Sequence, residues 1–386
     1  MKITKLETFH VKPRWLFLKI STDEGIVGWG EPIVEGRSKV VEAAVHDFGK
    51  RLIGENPCEI ERLWQLMYRG GFYRGGPIAM SAISGIEQAL WDIKGKFYNM
   101  PVYEMLGGKV RDKIHVYPHL DGDYPNTGDS SAKHLVKCAL KRKAEGYDFV
   151  KLGLPNDPTM FLETPKALDE IVDKYQQIRN AVGDDMDIAV DCHGRLSPAL
   201  AIKFCKAMES VNPVFIEEPV LPENIDVMVK VAESTTIPIA TGERLYTRFG
   251  FKDLIEKQGV SIIQPDCCHA GGIFELRKIA AMAETYYMGF APHNPLGPIS
   301  LAACLQVDAC TPNFVIQEFP CMDNGWDRGK LYLDKAFEIV NGYIDVPKGP
   351  GLGISINEEA LKEMAYDGEW QSPLFSNPHD GSLVDW

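Results

Sequence analysis

Hydrophobic and polar positions change their period along this chain, and the changes divide it. The first 30 or so residues read as strands: Leu16-Phe17-Leu18-Lys19-Ile20 and Ile26-Val27-Gly28-Trp29-Gly30 flank the turn signal Asp23-Glu24-Gly25. From about residue 38 to 100, small and apolar residues recur at helical spacing, most clearly from Ser81 to Ile93. This α+β stretch reads as a separate N-terminal domain. From about residue 114 short apolar runs alternate with helical stretches such as Ser197 to Ser210 and Phe274 to Tyr286. The candidate strands end at Tyr117, Lys151, Asp191, Glu217, Glu243, Pro265, His293 and Glu318, the eight that a closed parallel barrel needs. After about residue 330 comes the breaker-rich Pro347-Lys348-Gly349-Pro350-Gly351-Leu352-Gly353. The expected fold class is therefore α/β, with a (β/α) barrel following an α+β domain.

The strand ends carry the chemistry. Asp191, Glu217 and Glu243 follow one another at intervals of 26 residues. In a (β/α) barrel such positions share the catalytic face. Three carboxylates there repel one another, and a hard divalent cation such as Mg²⁺ relieves that repulsion. Glu218 is adjacent to Glu217, and alternation sends the two to opposite sides of the strand without saying which faces the mouth. His193 lies on the same side as Asp191 and is a candidate general acid or base. Asp266 ends the strand before His293, so it can hydrogen-bond one imidazole nitrogen and raise the basicity of the other. Glu318 on the last strand can stabilise a transition state or pair with a cation. Lys151 can orient a substrate carboxylate or neutralise the acids. Arg14, Trp15, Tyr73 and Arg74 stand near Gly/Pro-rich segments, where a lid over the mouth is one role and plain surface the other.

Composition narrows the partners. The chain has 386 residues and a net charge of −13, which argues against nucleic acid and anionic membranes. No apolar run approaches membrane-span length, and the N-terminus lacks an apolar signal core. The nine cysteines show no CxxC or framework spacing. A soluble cytoplasmic protein with reduced thiols is expected.

Gly28-Trp29-Gly30-Glu31, Ala89-Leu90-Trp91-Asp92, Ile216-Glu217-Glu218-Pro219, Gly242-Glu243 and the His293/Asp266 pair, together with the three acids, resemble the enolase superfamily, mandelate racemase subgroup. The longer stretches Gly71 to Pro77, His193-Gly194-Arg195, His269 to Ile273 and Ala291 to Pro298 resemble its acid-sugar dehydratases. The resemblance implies a (β/α)7-8 barrel of TIM type at 114–330 and a capping domain at 1–113. A C-terminal segment, 331–386, is expected to pack back on that cap. It implies Mg²⁺ on Asp191, Glu217 and Glu243, with Glu217 rather than Glu218 facing the metal. It implies His293 as base with Asp266, His193 as acid and Glu318 as electrophilic helper. Arg14, Trp15, Tyr73, Lys151 and Arg195 are expected near the substrate, a sugar acid with D-galactonate first in line. Gluconate, mannonate or a pentonate are the alternative substrates, an epimerase or racemase and a non-catalytic metal-binding barrel are the rival readings, and a homo-oligomer is expected. Related racemases carry Lys-x-Lys on the second strand. Here that position reads Lys151-Leu152-Gly153, so a two-base racemisation lacks a base. Segments 118–131 and 154–163 depart from the dehydratase pattern and are expected to set substrate choice.

Overall fold

The computed structural model describes residues 1–120, 129–154, 164–319, 327–377 and 379–385. Most of the two segments expected to set substrate choice, 121–128 and 155–163, lies outside the described residues. The chain opens on an antiparallel sheet of β1 (Ile3–Val11), β2 (Trp15–Thr22) and β3 (Val27–Gly30). Then come α1 (Ser38–Leu52), α2 (Ile60–Arg69), α3 (Pro77–Tyr98) and the single turn α4 (Val102–Met105). Buried residues run almost unbroken along α3 from Met80 to Ile93, because it packs against β3, α1 and α2 and also against the barrel.

Eight parallel strands follow: β4 (Lys113–Pro118), β5 (Phe149–Gly153), β6 (Asp187–Asp191), β7 (Phe215–Glu217), β8 (Ile239–Thr241), β9 (Ile262–Ile263), β10 (Gly289–Phe290) and β11 (Gln317–Phe319). Strands β5 to β10 pair in sequence order, and β11 pairs with β4. Two parallel bridges join these sheets into a ring, His119 with Lys151 and Phe290 with Phe314. Strands β9 and β10 are shorter than their apolar runs, because pairing stops before Pro265 and Pro292, which have no N–H to give. The crossover helices are α5 (Ala132–Ala144), α6 (Pro165–Val182), α7 (Pro198–Met208), α8 (Ile225–Ala232), α9 (Thr247–Glu256), α10 (Ile273–Glu284) and α11 (Pro298–Cys310). Four begin at capping side chains: Ser131, Thr164, Ser197 and Asn224 each accept a first-turn N–H.

The ring encloses one apolar layer to which every strand line contributes: Tyr117, Phe149, Ala189, Phe215, Ala240, Ile262, Ala291 and Ile316. From Phe149 to Ile316 large side chains alternate with alanines, and Tyr117 completes the layer beside Phe149, so the interior is filled rather than open. Beyond the barrel come a 3₁₀ turn (Asp327–Tyr332), β12 (Ile339–Val340), β13 (Tyr343–Asp345, antiparallel to β4) and α12 (Glu358–Glu363). The chain then runs beside β1, where Lys12 N–H reaches Met364 O and Tyr366 N–H reaches His10 O. None of the described cysteines forms a disulfide. Among the described residues no helix is long and apolar enough to cross a membrane.

Candidate active site

Period two along the strands decides what crowns the apolar layer. Two residues beyond it, the eight strand lines present His119, Lys151, Asp191, Glu217, Gly242, Gln264, His293 and Glu318. An apolar floor thus carries a polar storey directly above it. Lys151 is its hub: the buried ammonium lies 3.1 Å from Asp191, 2.8 Å from Glu217 and 2.7 Å from Glu318. Burial opposes its charge, but these three carboxylates push it well above the usual lysine range. Burial would likewise raise Asp191, yet His193 and Lys151 hold it well below the usual carboxylate range. Glu217 lacks that surplus of cations, and burial with Asp191 nearby pushes it up to about 7. Burial and the neighbouring Glu218 push Glu243 up to about 8.

The two histidines flank these acids. His193 sits just past β6 in a left-handed conformation (φ 51°), which turns its Nε2 back to 3.2 Å from Asp191 Oδ2. Burial works against its proton, but Asp191 outweighs it and raises the imidazole to about 10. His293 Nδ1 donates to Asp266 Oδ2 at 2.8 Å, which leaves Nε2 facing the mouth, 3.2 Å from Glu243 Oε2. Asp266 also accepts from the Cys268 backbone at 2.6 Å and is fully buried. Burial opposes a charge on His293 too, but Glu243, Glu318 and Asp266 raise it well above the ordinary range.

The donor set fits a hard divalent cation. Asp191, His193 and Glu243 offer ligand atoms all within 4.8 Å of one another. Glu217 stands beside them with Oε2 on Lys151, and its Oε1 is buried without a hydrogen-bond partner. A buried carboxylate oxygen with no donor is costly, and a cation would satisfy it. Glu218 turns elsewhere: it accepts from Thr241 at 3.0 Å and from Arg244. Of the adjacent acids, Glu217 therefore faces the other carboxylates.

Glu318 pairs with cations, one of the two roles expected of it. Burial disfavours its charge, but Lys151, His293 and His119 hold it well below the usual carboxylate range, and Asn294 N–H adds a 2.6 Å bond. An ionised carboxylate accepts hydrogen bonds and cannot donate them. The substrate-side candidates scatter. Arg14 pairs with Glu35, lies over Trp370 and reaches Pro295 O at 3.4 Å. Trp15 is buried against Phe17 and Tyr332 in the cap. Tyr73 is 94% exposed beside Phe72. Arg195 lies two residues past His193, with Nη2 buried and unpaired. Sequence reasoning passed over His119, Gln264 and Arg244. The first two were findable, since each is two residues beyond an apolar-layer position.

Comparison with known proteins agrees with this architecture. Residues 4–107 match the family described as Mandelate racemase / muconate lactonizing enzyme, N-terminal domain, and residues 134–360 match Enolase C-terminal domain-like. The chain is 48% identical over 392 aligned positions to a D-galactonate dehydratase of Cronobacter sakazakii. It is 47% identical to one of Variovorax paradoxus, and both alignments cover 100% of each chain. A crystal structure of an enolase-superfamily member from Salmonella Typhimurium superposes with a TM-score of 0.88 at 35% identity. That match covers 94% of this chain and 98% of the other.

Proposed function

We propose, for a chain that belongs to the mandelate racemase / muconate lactonizing enzyme family of the enolase superfamily and is a hydro-lyase of acid sugars, that the substrate is D-galactonate and the product a 2-keto-3-deoxy acid. The observation that carries the proposal is the pair of histidines set on different acids of one carboxylate cluster, His293 locked by Asp266 and 3.2 Å from Glu243, and His193 3.2 Å from Asp191. A dehydration needs one group to take the C2 proton and another to protonate the departing 3-hydroxyl.

Mg²⁺ held by Asp191, Glu217 and Glu243 would act as a Lewis acid at the substrate carboxylate and so acidify the C2 proton. Glu243 is the first of the carboxylates that keep His293 protonated; with Glu243 committed to the metal, His293 Nε2 would be free to take that proton, since Nδ1 is committed to Asp266 and cannot be the base. Charge then develops on the substrate carboxylate. Lys151, kept ionised by its three acids, is the chain's own donor for that charge, and Glu318 orients it. His193 gives its proton to the 3-hydroxyl, so the C3–O bond breaks with water rather than hydroxide as leaving group. The enol so formed tautomerises to the keto acid. A racemase reading has less support, because Gly153 stands where a second lysine base would be. A cytoplasmic location and a homo-oligomeric state belong to the same proposal, and native mass measurement tests the second.

The experiment is a Mg²⁺-containing screen of purified protein against a stereochemical panel of aldonic acids. D-galactonate turnover alone supports the proposal. Turnover of another aldonate keeps the chemistry and moves substrate choice to segments 118–131 and 154–163. In D₂O, His293→Asn should abolish C2 exchange, whereas His193→Asn should keep exchange and lose dehydration. Full dehydration by either variant would overturn the roles assigned here.

A further inference from the structure

His119 is the mouth histidine for which the dehydration chemistry above has no task. It stands two residues past Tyr117 on the β4 line and bridges to Lys151 across the seam between the sheets. Its Nε2 pairs with Oε1 of Glu318, the same oxygen that lies 2.7 Å from Lys151 Nζ. Oε2 of Glu318 accepts from the Asn294 backbone at 2.6 Å. Both carboxylate oxygens are thus pinned, and rotation would break charge-assisted bonds. Without His119, Oε1 keeps only Lys151, which Asp191 and Glu217 also share, and Oε2 can turn from the Asn294 N–H toward His293 Nε2, 4.0 Å away. A closer Glu318 would compete with substrate for the base and pull Lys151 with it.

We propose that His119 is a positioning residue of the dehydration: it fixes Glu318, and through Glu318 both the place of Lys151 and the clearance around His293. The inference rests on reading the site as an aldonate dehydratase. His119 is 30% exposed, so a variant there leaves the apolar layer intact.

The test compares His119→Ala and His119→Gln with the wild-type enzyme on whichever aldonate it turns over. His119→Ala should lose about 10- to 100-fold in kcat, with KM shifted less than about threefold. Mn²⁺ affinity, read by electron paramagnetic resonance, should hold within about twofold. The glutamine variant, which keeps an N–H donor, should recover about tenfold of the loss. Full kcat in His119→Ala overturns the inference. So does an equal loss in both variants with a lowered Tm, the signature of a merely structural residue. If the wild-type protein turns over no aldonate, the functional reading fails. The pairing is then read in the resting protein, from the His119 ring ¹⁵N shifts. A shift that moves in Glu318→Gln keeps His119 as the residue that positions Glu318, and one that does not move ends the proposal.

Discussion

Lys151 holds together charges that would otherwise drive one another apart. Three buried carboxylates touch it, and removing one partner of a buried ion cluster typically costs about 3 kcal/mol or more. Lys151→Met should therefore lower the Tm of the metal-free protein, and Mg²⁺ should restore more of that loss than it adds to wild type. Melts with and without EDTA check this, and equal Mg²⁺ gains would show that the lysine does not stand in for positive charge at the acids. Glu217 and Glu243 give a pH signature. Their carboxyls, ordinarily near 4.5, rise to about 7 and about 8 in the fold, so the folded state binds more protons in that window. Their stability contribution is full below about 4.5 and is lost as pH rises through 7 to 8. EDTA-treated protein should thus lose Tm from pH 5 to 8, and saturating Mg²⁺ should flatten the slope by holding both groups ionised. The strand-end acids and the His–Asp pair were legible because position and residue type coincided. His119 shows the limit: Tyr117-Pro118-His119 has the right period, but nothing local reveals that Glu318, 199 residues away, is its partner.

Helices α10 and α11 of the barrel begin against carboxylates of the capping domain. Glu87, inside α3, accepts from the N–H groups of Ile273 and Phe274 at 2.8 and 2.9 Å and from the Trp91 indole at 2.7 Å. Glu31, just past β3, accepts from Gly297 and Ser300 at 2.7 and 2.9 Å. The backbone donors are amides at the helix starts that a helix cannot satisfy itself; they favour ionised carboxyls, but burial outweighs them and pushes Glu31 and Glu87 up to about 8. The contacts require glycine on the barrel side. A Cβ on Gly272 would come within 2.2 Å of Glu87 Oε2, at a φ of +92° that other residues avoid, and one on Gly297 within 2.5 Å of Glu31 Oε1. Glu87→Ala should cost about 3 kcal/mol, since it strands buried donors, and Gly272→Ala should cost a comparable amount. Urea midpoints at pH 7 check both, and the double variant should cost less than the sum, because each change breaks the same junction. A midpoint unchanged in both single variants would mean that the junction does not hold the two layers together. The elements themselves were readable from periodicity and capping residues. Their junction was not, since its partners lie 186 residues apart and a Glu inside a helix reads as solvent-facing.

At the scale of the molecule, strand–helix alternation made the barrel legible, and each residue of its apolar layer lies on a strand line that the sequence marked. Less legible was how such an acidic chain admits an anionic substrate. With a net charge of −13, its long-range field repels an anionic sugar acid, such as the proposed aldonate, and attracts a divalent cation, such as the proposed Mg²⁺. Salt weakens both effects, because the screening length falls from about 30 Å at 0.01 M to about 8 Å at 0.15 M. The two ligands should then respond oppositely. Raising KCl from about 0.01 to 0.15 M should weaken Mg²⁺ binding by about 3- to 10-fold and raise kcat/KM for the aldonate, at saturating Mg²⁺, by up to about threefold. Titration calorimetry reads the first and initial rates read the second. If both fall with salt, the substrate is being drawn by a local positive field, and Lys151 with the bound metal would then outweigh the charge of the whole chain at the mouth. If neither moves, the surface charge is too far from the mouth to matter, and the crowding of acids around Lys151 acts only at contact range.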